Sequence, residues 1–112
     1  MSLEVKTIEV NEAKVVHLKG NLDTNTAPDA EKEINKWLEN GSLKMVINLK
    51  DTNYVSSAGL RIFLATAKKM AAAGGVVKWC NANEVVQEIL DISGFSTILD
   101  IKESEAEALS AL

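Results

Sequence analysis

The chain is poor in the residues that build redox, metal and acid–base sites. Its 112 residues include one cysteine, Cys80, one histidine, His17, and one proline, Pro28. A single thiol cannot form an internal disulfide, and one histidine with one cysteine cannot supply the usual four ligands of a structural zinc ion. We therefore expect no metal or cofactor, and the reducing cytoplasm is the simplest location for the protein.

Positive charge and long apolar runs are also lacking. Lys and Arg number 12 against 16 Asp and Glu, which gives a formal charge of −4. This argues against a nucleic-acid partner, because phosphate neutralisation needs clustered basic residues. No apolar run approaches the ~20 residues of a membrane span, so direct membrane insertion is not expected. Residues 1–4 lack the basic and apolar segments of a signal peptide.

The apolar content is nevertheless sufficient for one sizeable core. Hydrophobic residues make up 46 % and charged residues 25 %, a balance typical of globular domains. The chain contains no repeat, low-complexity stretch or linker rich in proline and glycine. We therefore predict one domain over residues 1–112.

Apolar periodicity divides the chain into strands and helices that alternate after an initial hairpin. The predicted strands span residues 3–10, 13–19, 44–49, 76–80 and 97–101. The predicted helices span 24–40, 57–73, a segment from a cap at Asn81 to about Ser93, and a last one from a cap at Ser104. Residues 50–55 are predicted as a loop.

This order, β-β-α-β-α-β-α-β-α, predicts the α/β class. Right-handed crossovers between the later strands give a mixed, mostly parallel sheet of about five strands with four helices packed on it. The first strand is expected at an edge, because its hairpin makes it antiparallel. The carboxyl ends of the parallel strands are where function usually gathers in such sheets.

Two loops are expected at that end, each joining a strand to a helix. Ser56 and Ser57 lie where the first of these loops leads into a helix. Plain capping of the first helical turn is the simplest interpretation of these serines. Gly59 lowers helix propensity there by up to ~1 kcal/mol and often marks a close approach of another backbone or a partner. The second loop spans residues 20–27.

Signatures of catalysis are missing. There is no glycine-rich phosphate loop and no Gly-x-Ser-x-Gly elbow. A hydrolase using Ser57 as nucleophile would need a base, and His17 lies in the middle of a predicted strand. We therefore predict that the chain is not an enzyme.

Several motifs at the ends of these elements carry a family resemblance. They are Gly20-x-Leu22-Asp23, Val46-Ile47-Asn48-Leu49-x-Asp51, Ser56-Ser57-Ala58-Gly59-Leu60, Gly74-Gly75 and Asp91-x-Ser93-Gly94. In this order, over essentially the whole chain, they resemble the STAS domain, and most closely the small bacterial anti-sigma factor antagonists. The fold of that family agrees with the element order above.

The resemblance implies an interaction switch. In the family, the unmodified antagonist binds an anti-sigma factor that is also a serine kinase, which frees a sigma factor. Phosphorylation of the serine at the helix start ends the association, and a serine phosphatase restores it. The acceptor position falls on Ser57, with Ser56 as the less favoured choice. Ser56 stands where the family commonly has an aspartate.

The implied partner-binding surface comprises both loops. Its residues are Asp23, Thr24, Asn25, Ser56, Ser57, Ala58, Gly59 and Arg61. A phosphate there would have to lose water on docking, and an unpaired buried charge costs about 3–5 kcal/mol. Asp23 and Asp51 are expected to add like-charge repulsion.

Two other functions stay open at this point. One is a cytoplasmic STAS subunit of a membrane transport complex that is not phosphorylated. The absence of an acidic residue directly before Ser57 favours this function. The other is a small enzyme with Ser57 as nucleophile.

Overall fold

The computed structural model describes residues 3–112 and contains one mixed, six-stranded sheet. The strands are β1 (Leu3–Val10), β2 (Ala13–Leu22), β3 (Lys44–Asn48), β4 (Thr52–Val55), β5 (Val76–Cys80) and β6 (Ile101–Lys102). The helices are α1 (Ala27–Glu39), α2 (Ser57–Ala72), α3 (Glu84–Ile92) and α4 (Glu105–Ser110), with a 3-10 turn over Phe95–Thr97. The predicted α/β class is confirmed. Met1 and Ser2, which the signal-peptide prediction includes, lie outside the described residues.

The sheet has the order β1-β2-β3-β5-β6, with β4 paired to the end of β2. Only the β1–β2 hairpin is antiparallel among the described pairings, and it puts β1 at an edge as predicted. On its other side, β2 pairs with two strands. The β2–β3 pairing ends at His17 of β2 and Asn48 of β3, and the β2–β4 pairing begins at Gly20 of β2 and Thr52 of β4. One long strand therefore has two short parallel partners, one after the other.

The prediction of a loop over residues 50–55 is wrong, because most of this segment forms β4. Thr52 is fully buried, and its hydroxyl donates to the Leu18 carbonyl at 2.6 Å. Val55 is buried as well, whereas Asn53 and Tyr54 are exposed. Four residues with two polar side chains are too few for periodicity to reveal, and the pairing with β2 decides the conformation.

Several predicted boundaries also move. Strand β2 continues through Gly20 to Leu22, three residues past its predicted end. The segment 97–101 is mostly a 3-10 turn and a loop, and only Ile101 and Lys102 pair with β5. Helix α1 begins at Ala27, because a hydrogen-bonded turn precedes it. Helix α3 is capped by Asn83, whose Oδ1 accepts from the Val86 N–H at 2.9 Å. Asn81, the predicted cap, has a left-handed backbone with φ 61°.

The sheet buries both of its faces. Val16, Ile47 and Trp79 belong to the main core, which also includes buried residues of α1, α2 and α3. Their strand neighbours Val15, Val46 and Cys80 point the other way and pack with Ala108 of α4. Cys80 is fully buried, as predicted. Burial raises the pKa of its thiol to about 12, with a contribution from the Glu105 carboxylate, so the thiol stays protonated.

Glu33 ties α1 to the edge strand β1. Its carboxylate accepts hydrogen bonds from the Thr7 hydroxyl and from the Trp37 indole N–H, the latter at 3.1 Å. The Thr7 hydrogen bond is the main cause that lowers the pKa of Glu33, with help from Trp37 and Lys36 and against partial burial. The network holds the outer strand to the helix through an ionised carboxylate.

The lowered pKa of Glu33 predicts a pH-dependent contribution to stability. Because the folded-state pKa lies below the ordinary value of 4.5, the contribution is complete above that pH and is lost as the pH falls through the folded-state pKa. We expect Glu33→Gln to lower the free energy of unfolding by about 1 kcal/mol at pH 7, with a smaller difference at low pH.

Urea unfolding of both proteins at pH 7 and at pH 3, followed by tryptophan fluorescence, measures this. The control is Glu39→Gln, which changes an exposed carboxylate at the end of the same helix. An effect of Glu33→Gln that is equal at both pH values would contradict the role of the ionised carboxylate.

Candidate functional site

The residues that follow β2 and the start of α2 meet at the carboxyl ends of β2 and β4. Leu22 and Val55 are register partners in the parallel pair. Directly after them, the Ser56 N–H donates to the Leu22 carbonyl at 2.8 Å. The predicted loop after β2 is therefore confirmed at the carboxyl end of its strand. The predicted loop before α2 is mostly β4 itself, and Ser56 alone joins that strand to the helix.

The two serines differ in what their hydroxyls do. Ser56 is the N-cap of α2, and its Oγ accepts from the Gly59 N–H at 3.3 Å. Ser57 is the first residue of the helix and is exposed, whereas Ser56 is half-buried. Within residues 3–112, no hydrogen bond holds the Ser57 hydroxyl. The capping role thus belongs to Ser56, and the Ser57 hydroxyl is open to solvent.

A hydrogen-bonded turn shapes the loop that follows β2. The Asp23 Oδ1 accepts from the N–H groups of Asn25 at 2.9 Å and of Thr26 at 3.1 Å. In return, the Thr26 Oγ1 accepts from the Asp23 N–H at 2.9 Å and donates to the Asn21 carbonyl at 2.6 Å. Asp23 is half-buried and holds the turn, while Thr24 and Asn25 are exposed at its tip.

Gly59 lies in the first turn of α2 and is buried. A Cβ at this position would lie 2.8 Å from Leu22 Cδ2 and 2.9 Å from Val55 Cγ1. The close approach expected at this glycine is therefore made by side chains of the same chain. Ala58, its neighbour, is half-buried and packs against the main core.

Arg61 completes the exposed side of the first turns of α2. Residues i and i+4 lie on one helix face, so Arg61 follows Ser57 along that face. Helical side chains lean toward the helix N-terminus, which directs the Arg61 side chain back over the turn that begins with Ser57. Arg61 is exposed and forms no ion pair with any described residue.

Asp51, which is expected near Ser57, lies far from it, and so does His17, which is not expected there. Asp51 precedes β4, whose length separates it from Ser57 by roughly 15 Å, well beyond the Debye length of about 8 Å. The expected repulsion from Asp51 is therefore wrong, because the segment between them is an extended strand. His17 lies roughly 16 Å along β2 from Leu22. Its Nε2 lies 3.6 Å from Glu105 of α4, so it cannot act as a base for Ser57.

A sequence comparison identifies the family. The model of the STAS domain family matches residues 4–108. The chain belongs to the STAS domain family. It is 34 % identical over 86 residues to an anti-sigma-B factor antagonist of Bacillus subtilis. The aligned region covers 77 % of this chain and 78 % of that protein.

Solved structures confirm the fold of this STAS domain. The crystal structure of an anti-sigma factor antagonist from Mycobacterium paratuberculosis superposes with a TM-score of 0.89 at 22 % identity, over 97 % of this chain and 92 % of the other. The Bacillus cell fate determinant SpoIIAA in its phosphorylated form gives a TM-score of 0.71 at 18 % identity, over 97 % of each chain.

Thr26 is a residue of this site that the sequence reasoning missed. It is 5 % exposed, and it closes the turn whose tip Thr24 and Asn25 form. The signal was available, because Asp23 and Thr26 have the spacing of reciprocal side-chain caps before a helix.

Of the described helices in the STAS domain, none is long and apolar enough to cross a bilayer.

Proposed function

We propose that this STAS domain is an anti-sigma factor antagonist whose binding is switched off by phosphorylation of Ser57. The observation that carries the proposal is the exposed, unengaged hydroxyl of Ser57 beside the turn held by Asp23. The names of relatives such as the Bacillus subtilis protein support the regulatory role. The role is one of binding, without catalysis by this chain.

Accessibility favours Ser57 over Ser56 as the acceptor. A kinase must bring the hydroxyl oxygen in line with the γ-phosphate of ATP, which requires an exposed side chain. Ser56 is half-buried and its oxygen accepts the Gly59 N–H. Phosphate on Ser56 would disturb a cap worth about 1 kcal/mol, whereas Ser57 can be modified without loss of that cap.

The N-terminus of α2 and the Arg61 side chain allow the domain to accommodate a phosphate group on Ser57. A phosphoserine adds about −1.5 to −2 charges, and the dipole of a helix N-terminus stabilises such a charge by roughly 0.3–1 kcal/mol. Arg61 lies one turn further on the same face, where its guanidinium can pair with phosphate oxygens. The modification therefore acts on the docked complex rather than on the fold.

The partner in this proposal is an anti-sigma factor with serine kinase activity, and a serine phosphatase resets the switch. The unphosphorylated surface presents Thr24, Asn25, Ser57 and Arg61 to that partner, with Asp23 and Ser56 fixing their backbone. We place this exchange in the cytoplasm.

Phosphate mapping tests the proposal. The protein is incubated with a candidate anti-sigma kinase and ATP, and mass spectrometry locates the modified residue. We expect one phosphate on Ser57, none on Ser57→Ala, and continued modification of Ser56→Ala. Phosphate on Ser56 would contradict the assignment, and stable binding to the kinase that survives phosphorylation would contradict the switch.

A STAS subunit of a membrane transport complex is the second candidate. It is favoured by Ser56, which stands where the anti-sigma antagonists commonly carry an aspartate. Genes for a transporter permease and ATPase beside this gene, in place of a kinase-like anti-sigma factor, would support it.

A further inference from the structure

Helix α3 presents two exposed apolar side chains to solvent on either side of a half-buried one. Val86 and Leu90 are fully buried and fix the inner face of the helix, whereas Val85 is 55 % and Ile92 80 % exposed. Val85, Ile89 and Ile92 have i, i+4, i+7 spacing and therefore form one row, here called the α3 stripe. Ile89, in the middle of the row, is half-buried and also packs against the main core. Burying large apolar side chains would be favourable, so the stripe is a candidate contact surface.

A row of carboxylates runs along one side of this stripe. Glu84, Glu88 and Asp91 have the same i, i+4, i+7 spacing, one residue earlier along the helix. All three are exposed, and none pairs with a cation among the described residues. The helix contains no basic residue. The surface thus combines an apolar row with a negative row, side by side.

We propose that the α3 stripe docks an amphipathic segment of a partner protein, in which apolar side chains lie beside a row of Lys or Arg. Opposite charges along the rim of an apolar contact set its register and orientation and speed the encounter. The inference rests on the side chains of α3 and goes beyond the switch proposed at Ser57.

Charge distinguishes this occupant from the alternatives. A second copy of the chain would bring another acidic row against the first, which is repulsive. An anionic lipid surface attracts helices with basic polar faces, the reverse of α3. A nucleic acid would repel the carboxylates as well. A basic amphipathic segment is the occupant that satisfies both rows together.

The test uses a synthetic helical peptide of about four turns, with leucines along one face and lysines along one flank. Fluorescence anisotropy measures its binding to the full chain. We expect Ile92→Ser to weaken binding roughly tenfold or more, because much apolar area is lost. We expect the triple variant Glu84→Gln/Glu88→Gln/Asp91→Asn to weaken it about tenfold and to reduce its salt dependence.

Matched controls separate specific docking from general attraction to an acidic protein. Leu43→Ser removes another exposed apolar side chain, and Glu12→Gln/Asp29→Asn/Glu39→Gln removes the same charge from other exposed positions. Both should bind the peptide as the wild type does. Equal weakening by the controls would overturn the proposal, as would NMR shift changes centred away from residues 84–92.

Two further measurements address the other occupants. Dimerisation in sedimentation that Ile92→Ser abolishes would assign the stripe to a second copy. Binding to vesicles of phosphatidylcholine and phosphatidylserine that the same variant abolishes would assign it to a membrane. Either result would overturn the proposal. Because none of these experiments involves a kinase, failure here leaves the proposed switch at Ser57 untouched.

Discussion

Ser57→Asp is expected to weaken binding to the cognate anti-sigma factor by about two to three orders of magnitude. The aspartate places a permanent negative charge on an exposed position that the proposed interface covers. A charge that loses its water without gaining a partner costs about 3–5 kcal/mol, and each ~1.4 kcal/mol is a factor of ten in affinity. Isothermal titration against the anti-sigma factor measures the loss.

The same substitution should leave the fold intact. An acidic residue in the first turn of a helix is favoured by roughly 0.3–1 kcal/mol, and Arg61 lies on the same face one turn later. We expect amide NMR shifts to change only around the start of α2. Ser57→Ala serves as the neutral control and should bind nearly as tightly as the wild type. A rearranged spectrum together with unchanged affinity would refute the interface mechanism.

Most of the fold could be predicted from apolar periodicity and turn residues. Helix α2 was predicted within one residue of its observed end, because its apolar spacing is sustained and Gly74-Gly75 follows it. Strand β4 could not be predicted, because Thr52 and Val55 acquire their burial from the pairing with β2. A four-residue strand has little periodicity of its own, and its conformation depends on a neighbour distant in sequence.

The candidate site was predictable in its location but not in its atomic roles. Parallel topology alone brings the loop after Leu22 beside the start of α2. Sequence could not decide which of Ser56 and Ser57 caps the helix, because either hydroxyl can accept an N–H of the first turn. Nor could it separate Asp51 from Ser57, since their distance depends on β4 being extended.

Gly59→Ala is expected to lower the free energy of unfolding by about 1–3 kcal/mol, although alanine is the better helix former. The added methyl group would lie 2.8 Å from Leu22 Cγ and 2.9 Å from Val55 Cγ1, closer than atoms in van der Waals contact. Both neighbours are fully or almost fully buried and cannot move into solvent. Thermal unfolding should show a midpoint lower by roughly 4–12 °C.

A double-mutant cycle with Leu22→Ala tests whether this steric conflict is the cause. Leu22→Ala alone should cost about 2–5 kcal/mol, because it leaves a cavity in the core. In the double variant the new methyl group occupies part of that space, so the combined loss should fall short of the sum by about 1 kcal/mol or more. Simple additivity would contradict the conflict with Leu22.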